Sequence, residues 1–354
     1  MKCEKRKAIV FGITGQIGSY LLDKLLEQDF YVCGVARRVS FNNTQRIEHH
    51  LNNKNFNLVG GDVTDFFSII NIFNSLKQKF SSDSSFLIFN MAAQSFVFQS
   101  FNQPLLTFDV TCKGVLNILE GIRATMNIDR VKFIQMSSSE MFGSNVNSGG
   151  SQCETTPFKP NSPYGIAKLA AHCLVDVYKR SYGINGGCVI AFNNESPRRG
   201  EEFVTRKITK WIGEFVANNR TYKNKLKLGN LLAYRDWSHS KDIVEAIYLI
   251  SQTKLLKDYA VSSGQSFSIE DFVEAAFNII GIKNYKDYIE IDENLYRPCE
   301  VPYLKGDSKK IKAELGWNPQ ISFEELVKEM VTSDIVSYVN DKYTHNLIEE
   351  LSEK

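Results

Sequence analysis

Short apolar runs alternate with helix-like stretches through the first half of the chain, and this alternation constrains the fold more than any other feature. The apolar runs are KAIVFG (7–12), FYVCGVA (30–36), FNLVGGD (56–62), FLIFNMA (86–92), VKFIQMS (131–137) and GGCVIAFN (186–193). Helical patterns cover 16–28, 65–79, 104–126 and 164–182. Strands that alternate with helices form βαβ units, and near-continuous apolar strands need cover on both faces. The sequence therefore predicts an α/β fold with a doubly wound parallel sheet.

The pattern changes after residue 193, where helical stretches dominate. Helices are expected near 202–219, 268–280, 307–316 and 321–335, and a helix over 237–252 is expected to return to the first domain. We expect interleaved domains: a cofactor-binding domain over 1–193 with 237–262 added, and a smaller, mainly helical substrate-binding region over 194–236 and 263–335. The polar segment 336–354 is expected to be a C-terminal tail that frays.

Charge and cysteine usage exclude several classes of protein. The chain of 354 residues has 42 Lys and Arg against 40 Asp and Glu, scattered along its length, which argues against nucleic-acid binding. Its seven cysteines contain no C-x-x-C pair, so we expect free thiols in a reducing compartment, no disulfide framework and no metal site. Neither a signal peptide nor an apolar run of transmembrane length is evident, so we expect a cytoplasmic protein without membrane contact.

The segment GITGQIG follows the first strand and opens the first helix, with glycines at Gly12, Gly15 and Gly18. Glycines at this position permit a tight turn and a close approach of the backbone to a ligand, and the helix N-terminus attracts a diphosphate. The pattern predicts a Rossmann-type dinucleotide site, although glycines could also serve only the turn.

The end of the second strand indicates which dinucleotide binds. Proteins that use NAD usually carry Asp or Glu there to bind the ribose 2′-hydroxyl. This chain has Arg37 and Arg38 instead, and a guanidinium group can pair with a 2′-phosphate. We therefore expect NADP; the alternative is an ordinary solvated basic loop.

Later strands end in residues that could face a ligand, because open α/β sheets bind ligands at the carboxyl ends of their strands. Asp62 and Val63 follow the third strand and could hold the adenine, and small residues in NMAAQS (90–95) follow the fourth. The fifth strand ends in MSSSEMFG (136–143), which supplies hydroxyl groups and the carboxylate of Glu140. Each of these could equally be an ordinary strand end.

Tyr164 and Lys168, in SPYGIAK (162–168), lie four residues apart at the start of a helical pattern. That spacing places both side chains on one helix face. We expect the ammonium group to lower the pKa of the phenol, so that Tyr164 can move protons. Taken alone, the pair could merely share a partly exposed face.

The order of these motifs resembles the extended short-chain dehydrogenase/reductase superfamily. Within it the chain is similar to the GDP-mannose 4,6-dehydratase family, from about residue 7 to about residue 335. The segments that carry the likeness are GITGQIGSYL, AAQSFV, SSSEMFG, ETTPFKPNSPYGIAK, FNNESPRRGEEFVTRKI, LGNLLAYRDW and YRPCEVPYLKGD.

The resemblance implies a role for individual positions. It implies that Ser138, Glu140, Tyr164 and Lys168 are catalytic, with Glu140 as the base and Tyr164 and Lys168 as the acid/base pair. It implies cofactor contacts at Gly12, Ile13, Thr14, Gly15, Gln16, Ile17, Arg37, Arg38, Val39, Ser40, Asp62, Val63, Met91, Ala92, Ala93, Gln94, Ser95, Leu106, Lys168, Asn194 and Arg199. It implies sugar-nucleotide contacts at Asn193, Lys207, Arg235, Arg297 and Glu300.

The resemblance also implies a reaction. GDP-mannose would become GDP-4-keto-6-deoxymannose by internal hydride transfer through bound NADP, a first step toward GDP-6-deoxyhexoses such as GDP-fucose or GDP-rhamnose. Three alternatives stay open: a 4,6-dehydratase for another nucleotide sugar, a plain dehydrogenase or 4-epimerase, and a non-catalytic NADP-binding scaffold. The two enzymes of the second alternative have no evident use for Glu140.

The resemblance also carries an expectation about assembly, and four positions depart from the family pattern. In the family the segment around Arg199 reaches the cofactor of a neighbouring subunit, which implies a homotetramer, or at least a homodimer. Two adjacent arginines are also hard to explain inside the core of a monomer, although on an exposed loop they could be only a solvated basic turn. The departures are a hydroxyl without the usual methyl at Ser138, and replacements of the family's Asp, His and Lys at Ile17, Asn194 and Tyr234.

Overall fold

Strands and helices alternate through the computed structural model, which describes residues 5–80, 84–221 and 224–352. The strands are β1 (Lys7–Phe11), β2 (Tyr31–Ala36), β3 (Phe56–Gly60), β4 (Phe86–Asn90), β5 (Val131–Ser138), β6 (Asn185–Ala191), β7 (Asn193–Glu195), β8 (Leu226–Leu228), β9 (Tyr234–Arg235), β10 (Trp237–His239), β11 (Tyr259–Val261), β12 (Phe267–Ser268) and β13 (Ile289–Ile291). The helices are α1 (Gln16–Glu27), α2 (Phe66–Lys79), α3 (Val97–Asn102), α4 (Pro104–Phe108), α5 (Gly114–Thr125), α6 (Pro163–Tyr182), α7 (Val204–Ala217), α8 (Ser240–Gln252), α9 (Ile269–Ile279), α10 (Lys309–Leu315) and α11 (Phe323–Ser352).

Seven strands form one parallel sheet in the order β11-β6-β5-β4-β1-β2-β3. The strand order reverses at β1, between β2 and β4, which is the position where open α/β sheets bind ligands. Strand β1 is buried along its whole length, as a central strand covered on both faces must be. The predicted fold class is confirmed.

Apolar helix faces cover both sides of this sheet. On one side α1, α8 and α10 pack residues such as Leu22, Ile247 and Ile311 against it. On the other side α2, α5 and α6 contribute residues such as Phe73 and Ile118. Among the described residues, no helix has both the length and the apolarity needed to cross a membrane.

A third apolar cluster lies among the segments that follow β6. It joins α7, α9 and the first turns of α11, with Trp237 and Phe272 in edge-to-face contact 5.3 Å apart. Three short two-stranded ladders, β7 with β10, β8 with β13 and β9 with β12, connect these helices. The division into a cofactor domain and a substrate region stays a prediction.

Three elements differ from the sequence-based expectations. The expected helix over 104–126 is α4 and α5 joined by one π-helical turn at Asp109–Lys113, and the segment 237–252 begins with β10 before α8 starts. The segment expected to be a C-terminal tail is helical as far as Ser352, since α11 continues through that residue; that it frays stays a prediction. Asp334 anchors the helix, because its buried carboxylate is ion-paired with Arg206 of α7 at 2.7 Å. The final residues, 353–354, lie outside the described part of the chain.

Candidate active site

A cavity of about 610 Å³ opens at the carboxyl ends of the central strands. Its walls come from the segments that follow β1 to β6, together with α4, the start of α6 and the loop before α7. The cavity contains all four residues expected to be catalytic, which are Ser138, Glu140, Tyr164 and Lys168. The structure thus brings the dinucleotide motif and the acid/base motif to one place.

The β1–α1 turn has the geometry that a diphosphate needs. Gly12 adopts a φ of +76°, and a Cβ there would lie 2.7 Å from the Ala92 nitrogen. A Cβ on Gly18 would collide with the Gly12 carbonyl oxygen. Gly15 precedes α1 without a side-chain cap, so the first amides of the helix remain available to an anion. The residues present therefore fit a dinucleotide diphosphate.

Most of the residues expected to contact the cofactor line this cavity. They are Gly12, Thr14, Gly15, Gln16, Ile17, Gly18, Arg37, Val39, Asp62, Val63, Met91, Ala92, Ala93, Gln94, Ser95, Leu106, Lys168, Asn194 and Arg199. Three expected residues do not line it. Ile13 is fully buried in the core beneath the turn, whereas Arg38 and Ser40 are exposed on the loop after β2.

Strand β5 delivers Ser138 and Glu140 to the cavity. The Glu140 amide donates a hydrogen bond of 3.2 Å to the Ser138 hydroxyl, which starts a single 3₁₀ turn at the strand end. Both residues are buried, so the hydroxyl and the carboxylate lie at the wall of the cavity rather than in bulk water.

Helix α6 delivers the other two groups. Ser162 caps the helix by accepting a 3.0 Å hydrogen bond from the Gly165 amide, and Pro163 occupies the first turn. Tyr164 and Lys168 then lie one turn apart on the buried face, with the ammonium nitrogen 5.8 Å from the centre of the phenol ring. Lys168 Nζ also donates a 2.7 Å hydrogen bond to the Met136 carbonyl.

The expectation that Lys168 lowers the pKa of Tyr164 is wrong for this state of the protein. Burial raises the pKa of Tyr164 to about 12, opposed by the Ser138 hydroxyl and the Arg199 charge and reinforced by Glu140. Burial also lowers the pKa of Lys168 to about 8. Desolvation is the largest cause of both shifts, because each group lies in the protein interior.

Arginines and carboxylates link Glu140 to distant parts of the sequence. Arg297 lies 3.3 Å from Glu140 and 3.4 Å from Glu300, and Arg235 pairs with Glu300 at 2.7 Å. Of the residues expected to contact the sugar nucleotide, Arg297 and Asn193 line the cavity, whereas Arg235 and Glu300 do not and are joined to Arg297 by ion pairs. Lys207 on α7 does not line the cavity.

Several buried polar atoms in the cavity wall make no hydrogen bond within the protein. Six buried side-chain atoms of the described residues make no hydrogen bond, and four of them belong to residues that line this cavity. These four atoms are Gln94 Oε1, Glu140 Oε2, Asn193 Oδ1 and Arg199 Nε. Buried polar groups are normally satisfied, so this concentration indicates a site that receives a polar ligand.

Comparisons with known proteins agree with this geometry. A family model described as GDP-mannose 4,6 dehydratase matches residues 9–330. GDP-mannose 4,6 dehydratase 1 from Arabidopsis thaliana is 43% identical over 340 residues, which cover 94% of this chain and 90% of that protein. GDP-mannose 4,6 dehydratase from Homo sapiens is 39% identical over 353 residues, which cover 93% of this chain and 91% of that protein. The chain belongs to the GDP-mannose 4,6-dehydratase family.

A solved structure outside the GDP-mannose 4,6-dehydratase family shares the fold. The crystal structure of dTDP-glucose 4,6-dehydratase from Bacillus anthracis in complex with NAD matches with a TM-score of 0.77 at 22% identity. The match covers 93% of this chain and 96% of that chain. The Rossmann-type architecture therefore extends beyond the family.

The structure gives two of the four departures from the family pattern a local role. Asn194 accepts a 3.0 Å hydrogen bond from Gln16 and so joins the β1–α1 turn to β7. Ile17 packs into the apolar core while touching the cavity. Tyr234 is 41% exposed, with its ring 6.0 Å from that of Tyr303, and it does not line the cavity.

Sequence reasoning missed Glu195, a buried carboxylate that is paired with the cavity residue Arg199. Glu195 ends β7, is 2% exposed and lies 3.1 Å from Arg199. The segment FNNES offered one signal, an acidic residue directly after an apolar strand. Nothing in the sequence indicated that its partner would be the arginine four positions later.

Proposed function

We propose that this protein is a GDP-mannose 4,6-dehydratase, which converts GDP-mannose to GDP-4-keto-6-deoxymannose. One observation carries the proposal: two groups able to move protons, Tyr164 and Glu140, face the same cavity as a dinucleotide-binding turn. Oxidation at one carbon and elimination at the next need two such groups. The 39–43% identity to curated members of the family supports the same activity.

Each catalytic residue then has a defined task. Bound in the cavity, a nicotinamide cofactor supplies a hydride acceptor that returns the same hydride. Tyr164, in its ionised form, takes the proton from the sugar O4 as C4 loses its hydride, and Ser138 orients O4 by a hydrogen bond. Lys168, one helical turn away, holds positive charge beside the phenol and is placed to hold the cofactor's ribose.

Glu140 performs the step that distinguishes dehydration from simple oxidation. The keto group formed at C4 acidifies the C5 proton; the carboxylate removes that proton and passes it to the C6 hydroxyl, which leaves as water. Tyr164 would then deliver to C5 the proton it took from O4, and C6 would receive the C4 hydride from a cofactor held at this site, so the net change is the loss of one water. A 4-epimerase or plain dehydrogenase has no use for a carboxylate at this position.

The sugar nucleotide is assigned to the region over 194–236 and 263–335. Asn193 and Arg297 would contact it at the cavity wall, and Arg235 and Glu300 would hold Arg297 in place. Lys207 does not line this cavity, so a contact between Lys207 and the nucleotide would lie outside the cavity.

We propose NADP rather than NAD as the cofactor. Arg37 lines the cavity next to the end of β2, and no acidic residue occurs between Ala36 and Thr44. A charge-assisted hydrogen bond to a 2′-phosphate is worth about 1.5–3 kcal/mol, which is roughly tenfold to hundredfold in affinity. Titration of the cofactor-free protein with both dinucleotides should show this preference, and equal dissociation constants would refute it.

We further propose that the protein is a homotetramer and that it works in the cytoplasm. Its product would enter a route such as GDP-fucose synthesis. The six described cysteines are free thiols, which suits a reducing compartment, and Cys3 lies outside the described residues. The arginine pair no longer argues for assembly, because Arg198 and Arg199 pair with Asp23 and Glu195 of the same chain. Light scattering should give four copies, and a stable, active monomer would contradict it.

The variant Glu140→Gln tests the proposed reaction. The amide keeps the shape of the side chain but cannot accept the C5 proton, so we expect GDP-mannose consumption to fall by about 100-fold or more. Cofactor binding should stay unchanged. Glu202→Gln is the matched control, because Glu202 lines the same cavity but is exposed and has no proton-transfer role.

Turnover of Glu140→Gln within about tenfold of the wild-type rate would exclude Glu140 as the base. A product isomeric with GDP-mannose, rather than a dehydrated one, would instead indicate a 4-epimerase.

A further inference from the structure

Glu195 is a buried carboxylate to which the reaction above gives no task. It lies at the end of β7, where the Thr205 hydroxyl donates a 2.6 Å hydrogen bond to Oε2 and Arg199 Nε lies 3.1 Å from the same oxygen. Burial raises the pKa of Glu195, and the Arg199 charge and the Thr205 hydroxyl oppose that rise. A carboxylate this deep is retained only where its partners compensate for lost hydration.

Arg199 faces the cavity from the other side of this contact. The centre of its guanidinium lies 3.5 Å from the centre of the Phe203 ring, and Nε is buried without a hydrogen bond. Among the described residues, the side chain of Arg199 has an ion pair at Nε and a ring contact as its partners, so its terminal N–H groups remain available to a ligand. Its charge already acts on Tyr164, the proposed proton-transfer residue, since it lowers the pKa of that phenol against the dominant effect of burial.

We propose that Glu195 is a positioning residue that holds the Arg199 guanidinium against the cavity wall, ready for a phosphate group of the bound dinucleotide. The carboxylate engages Nε, the nitrogen nearest the backbone, and Phe203 stacks on the flat face. A long, flexible side chain is thereby fixed in one orientation before the ligand arrives, which lowers the entropic penalty of binding. This inference rests on the proposed function, because the cofactor is its ligand.

A second buried pair in the same region provides a matched control. Asp334 accepts a 2.6 Å hydrogen bond from the Thr209 hydroxyl and pairs with Arg206, the same combination of groups one helical turn further along α7. Arg206 does not line the cavity. Its terminal nitrogen binds backbone carbonyls of the Arg199 loop, so Asp334→Asn also tests general loosening of that loop.

The test is direct titration with NADP, which does not depend on turnover. Glu195→Gln keeps the hydrogen-bonding shape but removes the charge, and we expect it to raise the dissociation constant by about tenfold. Arg199→Ala should raise it by at least as much. The double variant should bind no more weakly than Arg199→Ala alone, because a positioning residue acts only through its target. Asp334→Asn should lower the melting temperature without changing the dissociation constant.

Other outcomes overturn the inference. An unchanged constant for Glu195→Gln, or effects of the two single variants that multiply in the double variant, would show that Glu195 does not act through Arg199. Weakening of equal size in Asp334→Asn would point to general loosening of the loop instead. Glu195→Asp, which keeps the charge at greater distance, should restore part of the affinity and replaces Glu195→Gln if that variant does not fold. An unchanged constant for Arg199→Ala would remove the cofactor role of Arg199, whereas catalysis is judged separately by Glu140→Gln.

Discussion

Lys168 carries a stability penalty because its ammonium group is buried. Burial lowers its pKa to about 8 from 10.5, so the protonated form is disfavoured in the folded state. Below about pH 8 the lysine is protonated in both states and the full penalty applies. Between about 8 and 10.5 the unfolded chain binds more protons than the folded chain, so stability rises with pH.

We predict that Lys168→Met raises the free energy of unfolding of the cofactor-free protein at pH 7. A shift of this size corresponds to roughly 3 kcal/mol, offset by about 1 kcal/mol for the lost hydrogen bond to Met136, so the net gain is on the order of 2 kcal/mol. Urea unfolding should show that this gain shrinks from pH 8 to pH 10. A variant less stable than wild type at pH 7 would contradict the account.

The spacing of Tyr164 and Lys168 predicted that they share one helix face, and the structure places them so. The spacing could not predict how deeply that face is buried. Burial depends on β5 and the cavity wall packed around the helix, and it reverses the expected direction of the Tyr164 pKa. The spacing of two residues determines which helix face their side chains share, whereas the desolvation of those side chains depends on groups that are distant in sequence.

The β1–α1 turn is the element on which cofactor binding depends most. A side chain at Gly18 would collide with the Gly12 carbonyl, so the start of α1 would have to move away from the strand. We predict that Gly18→Ala weakens dinucleotide binding by about 100-fold or more, because the helix amides would no longer meet the diphosphate. Titration with NADP measures this.

Gly60→Ala is the control for that variant. Gly60 ends β3, and a Cβ there meets no atom within 4 Å, so binding should stay within about twofold of wild type. Equal weakening by both substitutions would mean that the turn has no special role.

Helices and strands with a strong apolar pattern or a local cap could be predicted from the sequence. Features that depend on contacts between distant residues could not. The apolar run of β1 and the N-cap Ser162 with Pro163 before α6 are local signals. The contact between Asp334 of α11 and Arg206 of α7, by contrast, joins residues 128 positions apart. No local pattern in either helix identifies that partner.

At the scale of the whole molecule, the site joins segments that lie far apart in the chain. Arg297 reaches Glu140 across 157 positions of sequence, and Arg235 reaches Glu300 across 65. Motif likeness named these residues as sugar-nucleotide contacts, but it did not indicate that they form one chain of charges leading to the proposed base. Such a network follows from packing the late segments against the sheet.

The central claim is a dehydration with internal hydride transfer, and an isotope experiment tests it most directly. The protein is incubated with GDP-mannose deuterated at C4, without added reductant, and the product is examined by mass spectrometry and NMR. The account predicts a product that has lost one water and carries the deuterium at C6. Recovery of unchanged GDP-mannose, or of a dehydrated product without deuterium at C6, would contradict it.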